Sequence, residues 1–103
     1  MDKKSNEVVV TVGSANETGM RMASTAFNMS QITIDQAKRL NRRMRKQFGE
    51  DYEDEYRHDG KYVVTLPMNP HAANDSRRKL LGIQNAVKEV TGKVVPIDLT
   101  NFR

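Results

Sequence analysis

The chain has 103 residues, of which 37% are hydrophobic and 29% charged, with no cysteine and a formal charge of +4. That length suits one domain with a modest core and excludes a second independent one. The lack of cysteine excludes disulfides, thiolate metal sites and cysteine nucleophiles.

The opening residues Met1-Asp2-Lys3-Lys4-Ser5-Asn6 lack the apolar stretch of a signal peptide. No apolar run approaches the ~20 residues that a membrane span requires. The expectation is a soluble, cytoplasmic, single domain over residues 1–103, with a flexible N-terminus over residues 1–6 and no membrane partner.

In chain order, the β-branched run Glu7-Val8-Val9-Val10-Thr11-Val12 predicts a buried strand that stops at Gly13-Ser14. From Asn16 to Asn28, Met20, Ala23 and Phe27 recur at helical spacing and predict a helix, against the cost of Gly19. Thr33-Ile34-Asp35-Gln36 carries the spacing of a capping box, so a helix is predicted from about Ile34 to Phe48. Its apolar residues Ala37, Leu40, Met44 and Phe48 form one stripe, and Gly49 supplies the stop.

The acidic stretch from Glu50 to Gly60 has Tyr52 and Tyr56 to bury, and reads as a solvated loop or a frayed turn. Lys61-Tyr62-Val63-Val64-Thr65-Leu66 predicts a second strand, closed by Pro67. A helix follows from about Asn74 to Thr91, capped by Asn74, Asp75 or Ser76 and ended by Gly92. The last run, Lys93 to Leu99, predicts a third strand whose Pro96 places it at an edge or a bulge.

A strand, a long helix and another strand from Lys61 to Leu99 suit a crossover between parallel strands. The expected class is therefore α+β: a small sheet of about three strands, in the order βααβαβ, with helices packed mainly on one face.

Charge is distributed unevenly. From Gln36 to Phe48 there are six cations, Lys38, Arg39, Arg42, Arg43, Arg45 and Lys46, and no acid. The apolar stripe turns those cations outward, where guanidinium forks can bind phosphate oxygens. From Glu50 to Asp59, six acids face the single Arg57. This acidic run is either a counterweight folded against the basic helix or a docking feature of its own.

Asn69, His71, Asn74, Arg77 and Arg78 form a weaker candidate for an anion, at a strand end that runs through a loop into a helix start. Neither a dinucleotide nor a P-loop glycine pattern is present there. His58 and His71 do not share a metal-ligand spacing, and no serine lies in a nucleophile-elbow motif. No metal, cofactor or catalytic role is expected.

The two predicted helices around Met29-Ser30-Gln31-Ile32 resemble a helix-turn-helix, although the break lacks glycine and the second helix opens with Asp35. Gln31-Ile32-Thr33-Ile34 before a basic helix also resembles the start of a ribbon-helix-helix subunit, without the apolar second helix that such a subunit needs to dimerise.

The leading expectation is a small accessory protein that binds nucleic acid non-specifically through the basic helix face. The alternatives are a protein–protein regulator or inhibitor with separate acidic and basic surfaces, and a nucleotide or phosphate binder at the loop before the last helix. Self-association into a homo-oligomer suits so small a domain.

Overall fold

The computed structural model describes residues 8–99, and the expected flexible N-terminus, residues 1–6, lies outside them. The elements are β1 (Val10–Val12), β2 (Arg21–Asn28), α1 (Ile34–Phe48), a 3₁₀ turn (Gly49–Asp51), β3 (Glu53–Tyr56), β4 (Lys61–Met68), α2 (Ala73–Thr91) and β5 (Ile97–Asp98). The five strands form one mixed sheet in the order β3-β4-β2-β1-β5. The α+β class holds, but the sheet has two more strands than expected and the order becomes ββαββαβ.

The first added strand replaces the helix expected over Asn16 to Asn28. Asn16 folds the chain back, its side-chain oxygen accepting from the amides of Thr18 (3.0 Å) and Met20 (2.9 Å), and Gly19 takes φ 83°. β2 then alternates, burying Ala23, Thr25 and Phe27 and pairing antiparallel with both β1 and β4. Ala23 and Phe27 are four apart, a spacing that both a helix and a strand satisfy. Thr25 decides between them, because it is 1% exposed on the face it shares with Ala23 and Phe27.

The second added strand comes from the acidic run. β3 joins β4 in a hairpin across Arg57-His58-Asp59-Gly60, where Gly60 adopts φ 83° and the Asp59 carboxylate accepts from the Lys61 amide at 3.1 Å. Backbone pairing along an edge holds β3 in the sheet, although its own residues bury little.

β4 and β5 run in the same direction, as the helical connection between them predicts, yet they are not neighbours. β5 pairs parallel with β1, so α2 crosses β2 and β1 to reach the far edge. Val10 donates its amide to the Pro96 carbonyl at 2.9 Å, and β5 is an edge strand as the proline implies.

Register places Val10, Thr25 and Val64 in one row and Val12, Ala23 and Leu66 in the next, all on one sheet face. The apolar stripes of α1 (Ala37, Leu40, Met44, Phe48) and α2 (Leu80, Ile83, Val87, Val90) complete the core over that face. The helices approach closely where Gly82 of α2 meets Phe48 of α1. A Cβ at Gly82 would fall 2.4 Å from the Phe48 ring, so glycine is what permits the contact.

Both helix ends follow local chemistry. Thr33 caps α1 through the reciprocal pair expected: its hydroxyl accepts from the Gln36 amide at 3.1 Å, and the Gln36 side chain accepts from the Thr33 amide at 2.9 Å. α2 instead starts at Ala73 with Ala72 as a cap that offers no side-chain bond. The expected cap residue Asp75 reaches back to accept from the Asn69 amide at 3.1 Å. Neither DNA-binding resemblance survives, since β2 occupies the place of a first helix and the stretch after Gly49 forms β3. Among the described residues, no helix is long and apolar enough to cross a membrane.

Candidate nucleic-acid interface

The capping box and the buried stripe fix the rotation of α1, and with it the direction of its cations. Lys38, Arg39, Arg42, Arg45 and Lys46 are exposed and Arg43 is half-buried. Each flank of the helix is tied down. On the α2 side, Arg43 pairs with Glu89 at 3.3 Å and donates to Gln47 at 2.6 Å. On the β3 side, the Arg45 guanidinium lies 5.7 Å from the Tyr52 ring centre. Lys38, Arg39, Arg42 and Lys46 make no ion pair, side-chain hydrogen bond or ring contact with any described residue.

Beneath this face lies a buried polar cluster. The Tyr62 hydroxyl donates to the Asp54 carboxylate and stands 3.2 Å from both the Ala37 carbonyl oxygen of α1 and the Tyr52 hydroxyl. Its one proton goes to Asp54, so Tyr52 is the donor to Tyr62. Asn41 of α1 donates to the same Asp54 oxygen at 3.0 Å. Burial pushes both phenols above their ordinary pKa, and at Tyr62 the bond to Asp54 adds to that effect. The cluster pins α1 to β3 and β4, and so holds the cationic ridge in place.

The acidic segment packs against α1 through Asp54 but pairs none of its acids with an α1 cation. Glu53 and Glu55 pair in register with Thr65 and Val63, whereas the alternate β4 residues Tyr62, Val64 and Leu66 are buried under the helices. The two glutamates therefore sit on the opposite face of the sheet from α1. Asp51 reaches Lys79 at 3.9 Å, and Asp59 reaches Arg57 at 3.6 Å. Asp35, in the first turn of α1, is the acid nearest the ridge along the helix, and it makes no ion pair with a described residue.

The structure employs Asn69, the His71 amide and Arg78 of the anion candidate in contacts of the loop and the first turns of α2, and does not converge the five residues on one point. Asn69 accepts the His71 amide at 2.9 Å through its side chain and the Ser76 hydroxyl at 3.1 Å through its backbone. Arg78 pairs with Asp75 at 3.1 Å and lies over the Phe48 ring at 5.5 Å. Asn74 is exposed in the first turn of α2. Lys79, 5% exposed, donates to the Pro67 carbonyl at 2.7 Å and sits 3.3 Å from Asp75. Burial alone would raise the Asp75 pKa, but the Asn69 amide, Lys79 and Arg78 outweigh it and hold the carboxylate below its usual value.

Arg77 stands apart from this cluster. It lines a cleft of about 410 Å³ with Pro70, Leu80, Leu81, Ile97 and Leu99, an apolar wall rather than a ring of donors. Among the described residues, no group of three His, Asp or Glu side chains converges as metal ligands would.

Compared with protein-family models, with curated proteins and with solved structures, the chain matches none of them.

Proposed function

We propose that the chain is an accessory module that binds nucleic acid through phosphate contacts to the exposed ridge of α1, without catalysis and without reading sequence. One observation carries this reading: Lys38, Arg39, Arg42 and Lys46 stand together, exposed and unpaired among the described residues, while Glu53 and Glu55 face the other way.

Clustered cations of one sign, with no internal counter-ions, raise the local positive potential and attract a polyanion. From Lys38 to Lys46 the ridge spans eight residue steps, or about 12 Å of helix axis at ~1.5 Å per residue. Duplex DNA carries a negative charge for each ~1.7 Å of its own axis, so several phosphates lie within reach of one such ridge.

Retention on immobilised DNA and RNA across a salt series tests the proposal. Three or four phosphates neutralised on a duplex imply a slope of log K against log salt of roughly −3 to −4. A chain that is not retained at low salt, or that elutes with a flat salt dependence, does not bind in this way.

A further inference from the structure

The fold treats its three tyrosines unequally. Tyr52 and Tyr62 are 0% exposed, whereas Tyr56 is 57% exposed. Phe27 and Phe48 are both buried, so Tyr56 is the one tyrosine or phenylalanine among the described residues that is open to solvent. One side of the ring packs against Tyr62: the two centres lie 5.0 Å apart, at an angle of 39°.

Tyr56 is paired in register with Tyr62, which puts it on the helix side of the sheet, where the Tyr62 hydroxyl meets the Ala37 carbonyl of α1. Lys38 follows Ala37 directly, and Arg45 lies two turns further along the same flank, over the Tyr52 ring. Ile34, 55% exposed, is one turn before Lys38 on that flank. Among the acids of β3 and its hairpin, Asp54 is bonded to Tyr62 and Asn41, Asp59 is paired with Arg57, and Glu53 and Glu55 occupy the opposite face, while Asp35 in the first turn of α1 stays exposed and unpaired among the described residues.

An exposed aromatic ring on the same side of the sheet as the α1 cations has the two parts that proteins use on unpaired nucleotides, a π-face for the base and positive charge for the backbone. Bases inside a duplex are already stacked and present no free face. We propose that Tyr56 is a stacking platform for an unpaired base of a single-stranded nucleic acid whose phosphates lie on the α1 cations. The inference rests on the proposed use of α1 and adds the class of ligand: single strands are held in preference to duplex.

The test measures binding of a single-stranded oligothymidylate and of a duplex of the same length to the parent chain, to Tyr56→Phe, to Tyr56→Ala and to Arg39→Glu with Arg42→Glu. Tyr56→Ala should bind the single strand roughly 5- to 150-fold more weakly, leave the duplex unchanged and melt as the parent does, while Tyr56→Phe keeps the parent affinity. If Tyr56→Ala binds the single strand as tightly as the parent does, or weakens both ligands alike, the stacking role is overturned while phosphate binding by α1 stands. If the arginine variant binds both ligands like the parent, the α1 reading itself falls.

Discussion

Replacing Arg39 and Arg42 with glutamate is expected to weaken nucleic-acid binding on the order of 100-fold at ~0.1 M salt and to flatten the salt slope by about 1.8, the share of two phosphates. The fold should not change. Both side chains are exposed and engage no described residue, and substitutions at such positions usually move stability by less than ~0.5 kcal/mol. A glutamate at position 42 would lie four residues from both Lys38 and Lys46, where opposite charges support a helix.

The pair Arg39 and Arg42 is a better choice than Arg45, whose guanidinium covers Tyr52 and whose loss would disturb packing as well as charge. Neutralising Glu53 and Glu55 to glutamine provides the control, since they lie on the other side of the sheet and should leave affinity unchanged or slightly raised. Filter binding of all three proteins, alongside their melting curves, checks both halves of this expectation.

Tyr62→Ala should cost about 3–5 kcal/mol of stability, the range for truncating a large buried aromatic. Tyr62 is 0% exposed, packs against Phe27 and Tyr56, and gives its hydroxyl proton to Asp54 of β3, the carboxylate that Asn41 of α1 also bonds. Tyr62→Phe keeps the ring and isolates the hydroxyl. It leaves Tyr52 without its acceptor and Asp54 with Asn41 alone, at a cost of about 1–3 kcal/mol.

The pH dependence separates the ring from the hydroxyl. Both phenols have pKa values raised by folding, so the unfolded chain releases those protons first. Their contribution to stability is complete below the ordinary tyrosine pKa of about 10 and is lost as pH rises above it. Urea unfolding at neutral and alkaline pH should show a steep loss for the parent and a shallower one for Tyr62→Phe. Equal alkaline losses in the two proteins would contradict the assignment of that cluster.

Much of α1 was legible because its signals are local and mutually consistent. Thr33 with Gln36, the stripe from Ala37 to Phe48 and the stop at Gly49 agree with one another, and the helix runs from Ile34 to Phe48 as they imply. β4 and α2 were likewise readable from their own periodicity, although β4 runs on through Pro67 to Met68 rather than stopping at that proline.

β2 was not, because Met20, Ala23 and Phe27 fit a helical spacing and the polar Thr25 hides the strand alternation that the core imposes. A turn signal was available in Asn16-Glu17-Thr18-Gly19, and Asp59-Gly60 likewise marked the hairpin that makes Glu53–Tyr56 a strand. β3 is held by backbone pairing to β4 together with the bonds that Asp54 accepts from Tyr62 and Asn41, partners distant in sequence that local side-chain patterns do not reveal.

The basic ridge was visible as composition, yet its freedom from the acidic run depended on sheet register, which puts Glu53 and Glu55 behind the sheet. Tyr52 and Tyr56, four apart in sequence, looked like one packed pair until a 3₁₀ turn and a strand sent one inward and left the other exposed.

The most direct measurement is an amide chemical-shift titration of the folded chain with nucleic acid at low salt. The account predicts that shifts concentrate along α1 between Lys38 and Lys46 and fade as salt is added, while Thr11, Ser24, Ala26 and Val63 on the open sheet face stay still. Shifts confined to that face, or to the cleft between α2 and β5, would contradict it.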